Sequence, residues 1–389
     1  MSNAYDLIND SIIIGSGGAG TAILDKLIEK NKDLNYAMVV SSKNERKRAK
    51  KNKDYLHNII NLEFDGTGKK PMLAFKELEG YKEETSEMVK DYRFVFHICG
   101  FGGGTGVGTA MNIARNNKEN KLHMFLGTIP HLKLEGLDIY ENTIDSISKI
   151  NKANLGRFWL FDNNYTNDKS YYEDMNQKVV KEINYMFNLP SKNYGRQDID
   201  TSNLIDILFP NTNSRKGIIT TKRMKIDKFN SDINIKELFK RDISVSYDYN
   251  DKTYNKIGFI VKLGKEQTYD ENIDYIDKIK LEFMETVDGT THPAHYFSND
   301  DDNEITIIYS SPIITNSDFS AYKEISIEKL NNLEEKYNKE KEDELSYSSN
   351  KGQKDLFNTQ NNNGDDGLFD EEENDPFENI EEDFNSIFN

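Results

Sequence analysis

Five glycines stand among the seven residues Gly102-Gly103-Gly104-Thr105-Gly106-Val107-Gly108, and they constrain this chain more than any other stretch. Fixing a glycine costs backbone entropy, so a cluster this dense needs a structural cause. The run Phe94-Val95-Phe96-His97-Ile98-Cys99 before it is short, aromatic and β-branched, the pattern of a buried strand, and Thr109 to Arg115 after it reads as a helix. A glycine loop between strand and helix lets backbone N–H groups turn inward around phosphate oxygens, with the helix dipole behind them.

A second loop of this kind comes near the start. Ser11-Ile12-Ile13-Ile14 is a first strand running into Gly15-Ser16-Gly17-Gly18-Ala19-Gly20, and Ala22, Ile23, Leu27 and Ile28 then follow at helical spacing. Gly15, Gly17 and Gly20 satisfy G-x-G-x-x-G, which raises a nicotinamide-dependent oxidoreductase as one reading. That fingerprint wants an acid closing the second strand to hold a ribose hydroxyl, and Ala37-Met38-Val39-Val40 ends instead in Ser41-Ser42. Lys43 to Lys53 reads as a basic, solvated helix. A third strand, Ile59 to Phe64, leads into Asp65-Gly66-Thr67-Gly68-Lys69-Lys70-Pro71. A Walker loop fails there: no glycine stands five residues before Gly68, and Lys70 takes the Ser/Thr position.

Two more strands end in chemistry-bearing loops. Leu122 to Ile129 runs into Pro130-His131-Leu132-Lys133-Leu134-Glu135-Gly136, and Phe158-Trp159-Leu160-Phe161 ends in Asp162-Asn163-Asn164. An amide at such an end offers donor and acceptor together and can pair with a guanine edge. The next helix runs through Val179, Val180, Ile183 and Phe187, with Tyr172 and Asn176 four apart on one face.

The Gly-Gly-Gly-Thr-Gly-Val-Gly stretch resembles the signature loop of the tubulin/FtsZ superfamily, with Val107 where Ser or Thr is usual, and the remaining loops follow in that family's order over residues 11 to 200. The resemblance implies GTP and GDP as ligands, with Mg²⁺ bridging the β and γ oxygens and no protein metal ligands assigned. It puts Gly17, Gly18, Ala19, Gly66, Gly68, Gly102, Gly103, Gly104, Thr105 and Gly106 on the phosphates, Glu135 on the ribose, and Asn163, Tyr172 and Asn176 on the base. Ile139 stands where the family carries an Arg. After the central helix, which ends near Pro190, Asp198 and Asp200 match the first two polar positions of the loop that enters the next subunit's site. There it positions the attacking water, chemistry that is mostly positioning and charge stabilisation. The third position, normally Asp or Glu, is Asn203. An amide takes up no proton as a carboxylate does, so hydrolysis would be slower or carried by Asp198, Asp200 or Asp206.

The implied protein is a GTPase that polymerises head-to-tail. Its Asp-Asn-Asn stretch, long C-terminal helix and acidic tail look more like plasmid and phage tubulins (TubZ and PhuZ types), which implies positioning or segregating DNA. A division-type FtsZ, a GTP-binding protein with little hydrolysis and, last, the oxidoreductase are the alternatives.

The expected fold class is α/β: a Rossmann-like GTPase domain with a parallel sheet and central helix over 1–189, then the inserted loop and an α+β domain over 190–311. In that second part Gly217-Thr220, Ile243-Tyr247, Ile257-Val261, His295-Phe297 and Ile305-Tyr309 read as strands, with a helix through Ile273 to Phe283. His292 and His295 flank Pro293 with no further metal ligand nearby. A C-terminal helix over 312–346, capped by Ser317 or Asp318, precedes an acidic tail over 347–389 that is disordered by composition. Residues 361–389 hold eleven acids and no Lys or Arg, and Phe377, Ile380, Phe384, Ile387 and Phe388 fall at helical spacing among them, as in a peptide that docks on an adaptor or cargo protein. A net charge of −17 excludes bulk attraction to nucleic acid or anionic lipid. The single cysteine, Cys99, reads as a buried hydrophobe. With no signal-peptide pattern in Met1 to Asp10 and no membrane-length apolar run, a cytoplasmic location is expected.

Overall fold

The computed structural model describes residues 6–119, 121–131, 134–165, 171–195, 197–210, 215–227, 229, 240–247, 253–285 and 288–312, with single positions between 324 and 339. Apart from those single positions, the expected C-terminal helix and the acidic tail lie outside the described residues.

Among the described residues the apolar runs form ten strands of one sheet. They are β1 (Ser11–Ser16), β2 (Asn35–Val40), β3 (Leu56–Asn61), β4 (Phe94–Gly100), β5 (Leu122–Ile129), β6 (Arg157–Asp162), β7 (Ile218–Ile226), β8 (Thr253–Leu263), β9 (Asp288–Phe297) and β10 (Asn303–Ser311). Their order is β3-β2-β1-β4-β5-β6-β7-β10-β8-β9. The first six are parallel, in the doubly wound order that reverses between β1 and β4, and ligand crevices form at the carboxyl ends of the strands at such a reversal. Both dense glycine loops leave from these two strands.

Nine helices are described: α1 (Gly17–Lys30), α2 (Lys43–Lys51), α3 (Pro71–Glu79), α4 (Lys82–Val89), α5 (Thr105–Asn116), α6 (Leu137–Lys152), α7 (Tyr171–Phe187), α8 (Thr201–Leu208) and α9 (Tyr269–Met284). Strand period two divides the core between the faces. Ile13 packs with Ile23, Leu24 and Leu27 of α1, Val179 and Ile183 of α7, and Leu204 of α8. Ile12 and Ile14 point the other way, to Leu78 of α3, Val89 of α4 and Ile113 of α5. A further cluster packs Ile276, Ile279 and Phe283 of α9 against β7, β8 and β10. Cys99 is fully buried, and burial pushes its thiol up to about 12.

The expected strand at Ile243–Tyr247 is not a ladder strand. β6 pairs with β7 only at Phe158–Ile218 and Trp159–Ile219, and the strands then part. Residues 242–247 fill the gap with isolated bridges, Ser246 to Phe161 and Asp242 to Met224. Backbone bonds tie the segment to both neighbours (Ile243 N–H to the Arg223 carbonyl, Asp162 N–H to the Val245 carbonyl, Tyr247 N–H to the Leu160 carbonyl). Side chains add to them: Asp242 accepts from the N–H of Arg223 (3.2 Å) and of Ser244 (2.9 Å), and Ser246 Oγ accepts from Thr221 N–H (3.1 Å). The same seam holds Arg157, buried at the start of β6, which donates to the Lys216 carbonyl (2.7 Å), the Ser311 carbonyl (3.1 Å) and Ser310 Oγ. Gly217 lies against it at φ 131°; a Cβ there would sit 2.7 Å from the guanidinium. The sheet thus runs unbroken from the glycine-loop strands into the second, mixed half.

Candidate functional site

The carboxyl ends of β1, β4, β5 and β6 open into a cleft of about 360 Å³. Gly17, Gly18, Ala19, Gly66, Gly68, Gly102, Gly103, Gly104, Thr105, Gly106, Glu135, Asn163 and Tyr172 all line it. Sequences that lie far apart therefore meet where the strand order reverses.

The glycines have different causes. Gly17 turns the chain at φ 68° from β1 into α1, and a Cβ on it would lie 2.8 Å from the Gly106 nitrogen, so the two loops touch backbone to backbone. A Cβ on Gly104 would lie 2.1 Å from Thr67 Oγ1 and 2.5 Å from the Lys70 nitrogen. The third loop thus leans on the signature loop. Gly102 is covered by Ile139, whose Cγ2 would be 2.1 Å from a Cβ there; the residue at the family's Arg position is a packing residue here. Phe101 anchors the loop from below, fully buried, with its ring against Gly127 and Phe158. Gly18 is unlike these: a Cβ on it would meet nothing within 4 Å. Packing does not demand glycine at that position, and the space a Cβ would enter belongs to the cleft.

Lys69 and Glu135 are the acid–base side chains of opposite charge in the lining, and Lys69 pairs with Asp138 at 3.0 Å. The groups that face an anion are chiefly backbone: the first turns of α1 and α5, whose N–H groups have no acceptor within their own helices. Thr105 Oγ1 sits between Ser41 Oγ (3.5 Å) and Thr67 Oγ1 (3.4 Å), a line of hydroxyls at the floor. Among the described residues there is no group of three or more His, Cys, Asp or Glu side chains able to hold a metal. A divalent ion bound with phosphate would meet hydroxyl oxygens at this floor.

The opposite wall is built from the later loops. Tyr172, exposed on the first turn of α7, donates its hydroxyl hydrogen bond to Glu135 Oε1 across the cleft mouth. Of the paired amides, Asn164 turns back to Asp162 Oδ1 (2.7 Å), while Asn163 is buried in the lining. Asn176, half-buried one turn along α7, is not among the lining residues. Ser16, Thr67, Gly100 and Thr128 line the cleft without having been singled out by the sequence; single small residues carry no pattern, and only strand ends already placed on the sheet would have pointed to them. The acid after β2 that a dinucleotide site wants is not supplied by Glu45. That residue is buried and turned back, its Oε2 accepting from Ser41 N–H at 2.8 Å in the capping box of α2.

Asp198, Asp200 and Asn203 lie at the other end of the molecule. α7 has 17 residues and so carries the chain about 25 Å from Tyr172 at the cleft to Phe187, ahead of the segment that holds them. At that far end Phe187 packs on Phe96 (5.1 Å between rings) and Phe209, just past α8, on Phe94 (5.4 Å), the first residue of β4, whose last residue Gly100 lines the cleft. Asp200 caps α8: its Oδ1 accepts from Asn203 N–H at 2.7 Å, and Asn203 Oδ1 from Asp200 N–H at 3.4 Å. Asp206 is held by Lys256 (2.8 Å) and His292 (3.0 Å). Asp198 is exposed.

Solved structures with this architecture are tubulin-like. The tail-truncated TubZ of Clostridium botulinum phage c-st superposes with a TM-score of 0.64 at 18% identity, covering 84% of this chain and 100% of that one. A GTPγS-form protofilament of TubZ from Bacillus thuringiensis serovar israelensis gives 0.67 at 16% identity, covering 87% and 96%. This chain has the tubulin/FtsZ fold. An empty FtsZ dimer from Methanocaldococcus jannaschii shares it, with a TM-score of 0.64 at 16% identity and coverage of 80% and 91%. In sequence, the tubulin/FtsZ likeness extends to cell division protein FtsZ 1 of M. jannaschii, 25% identical over 142 residues, and of Pyrococcus abyssi, 26% identical over 145. Each of these alignments takes in 36% of this chain and 38% of the relative. No family-level sequence profile matches the chain. Among the described residues no helix is long and apolar enough to cross a membrane.

Proposed function

We propose that this chain binds GTP in the glycine-lined cleft and hydrolyses it within a head-to-tail filament. The observation that carries the reading is the separation of its two candidate halves: the cleft at the carboxyl ends of the strands, and the Asp198–Asp200 loop beyond the far end of α7. A site divided in this way is completed by stacking one subunit on the next, a heterologous contact that propagates. Gly17, Gly18, Ala19 and Gly102 to Gly106 would hold the phosphates through backbone N–H groups, with Mg²⁺ across the β and γ oxygens. Asn163 and Asn176 would read the guanine edge, Tyr172 would stack on its ring, and Glu135 would meet the ribose. The mixed half over 190–311 would serve chiefly as the contact surface. The TubZ likeness supports placing or segregating plasmid or phage DNA as the cellular task, through an adaptor on the acidic tail and without direct contact to DNA or membrane, in the cytoplasm.

A second reading, GTP binding with little turnover, is favoured by one specific observation. Asn203 spends both polar ends of its amide on protein contacts, the cap of α8 and His292.

Right-angle light scattering on adding GTP or a slowly hydrolysed analogue with Mg²⁺, with phosphate release followed in parallel, tests both. A rise that decays as phosphate appears supports the dynamic filament. A persistent rise with little phosphate supports the second reading. Nucleotide binding with no rise under either ligand overturns the filament.

A further inference from the structure

The acid-loop pole holds a side-chain group built on His292, which the sequence offered only as a metal ligand without partners. His292, on β9, lies between two residues of α8: its Nε2 is 3.0 Å from Asp206 Oδ2 and its Nδ1 is 3.4 Å from Asn203 Nδ2. Asn203 is the residue that stands where an acid is usual, so the imidazole is one contact away from that position. The histidine side chain is 19% exposed and Asp206 37%. The charged groups packed around it are Asp206 from α8 and, through Asp206, Lys256 from β8 at 2.8 Å.

We propose that His292 is the proton acceptor this chain supplies to the nucleotide of the neighbouring subunit, taking over from the missing carboxylate; the proposal rests on the filament reading above. The Asp206 carboxylate accepts only from an N–H, so it fixes the hydrogen on Nε2 and leaves the lone pair on Nδ1. At 3.4 Å the contact of Nδ1 with the Asn203 amide is long for a hydrogen bond, and in the active filament a water takes its place. Carboxylate, imidazole and water then stand in the order that activates a nucleophile elsewhere. In the step itself, the water oxygen bonds to the γ phosphorus and the bond from phosphorus to the β–γ bridging oxygen breaks, its electron pair leaving on GDP. The water proton passes to Nδ1. The imidazolium that forms is stabilised by Asp206 and returns its proton to solvent.

The test uses the full chain and three readouts: assembly with a slowly hydrolysed GTP analogue, phosphate release under GTP, and the pH dependence of that release. H292Q keeps a hydrogen-bonding side chain of similar length but cannot carry the proton. The expected result is unchanged assembly of H292Q with the analogue and phosphate release lower by about 100-fold, the low end of the range for a general base. Wild-type release should rise with pH as a general base loses its proton, and the variant's should lack that rise. D206N, which leaves His292 in place but frees its tautomer, should lose rate by a smaller factor. H292Q release at the wild-type rate, or with the wild-type pH slope, overturns the proposal. So does a wild-type filament that releases no phosphate, which leaves the filament reading standing. A wild-type chain that binds GTP without assembling defeats the filament reading itself, and the His292 assignment with it.

Discussion

His97 and His123 stack between β4 and β5, with His97 Nε2 and His123 Nδ1 3.0 Å apart. His123 Nε2 lies 3.1 Å from the Asn117 carbonyl, which only accepts, so that nitrogen carries the hydrogen and His123 Nδ1 receives from His97. The chain of donors ends at His97 Nδ1, a buried lone pair with no hydrogen-bond partner. Burial holds both rings neutral, His97 well below the usual histidine range and His123 at about 4. The unfolded chain therefore takes up protons that the folded one refuses. Stability is full above about pH 6.5 and falls as pH drops toward 4, by about 1.4 kcal/mol per pH unit for His123 alone. Urea midpoints measured across that range should show the loss, and H97L/H123M should flatten it. Glu182 on α7 has the opposite sign. It donates nothing when ionised, meets Arg223 at 2.9 Å, leaves Oε2 unpartnered, and burial pushes it up to about 7. Its contribution is present at low pH and lost as pH rises through 7. E182Q should therefore gain stability over wild type at pH 8 and not at pH 4; an equal shift at both would show that the carboxyl's titration has no part in it.

The glycine loops are elements whose members can be separated by experiment. Gly104→Ala puts a methyl 2.1 Å from Thr67 Oγ1 and against backbone, so it should lower the thermal midpoint as the third loop is pushed away. Gly18→Ala meets nothing within 4 Å and should leave the midpoint unchanged, while, on the proposed nucleotide site, weakening binding by about tenfold, ~1.4 kcal/mol, because the methyl enters the cleft. A fluorescent GTP analogue and a melt distinguish the two; undiminished binding by G18A would remove Gly18 from the phosphate path. These loops were legible because glycine density between a strand and a helix is a pattern in itself. Arg157 was not, since a lone Arg opening a strand looks like a surface residue until its three acceptors are brought over from β10 and the turn before β7. The segment 242–247 was misread for a related reason: its alternating Ile, Val and Ser mimic a strand, but its backbone bonds to β6 and β7 make only isolated bridges, and Asp242, Ser244 and Ser246 add side-chain bonds to backbone N–H groups among them. His292 was weighed only as a metal ligand because its partners lie 86 and 89 positions away in the chain.

At the scale of the molecule, the cleft and the acid loop occupy opposite poles of one continuous sheet. Asp198→Ala should accordingly bind GTP as tightly as wild type in dilute, unassembled protein, yet lose turnover once filaments form. Weakened binding by the isolated variant would mean that the loop reaches its own cleft. Beneath the reversal of strand order lies Cys99, the chain's single cysteine, fully buried and 3.2 Å from where a Cβ on Gly106 would sit. A thiol reagent reaches that sulfur only when the first turn of α5 lifts from β4. The rate of alkylation therefore times the breathing of the cleft floor, and a nucleotide that clamps the turn should slow it in a protein needing no engineered label.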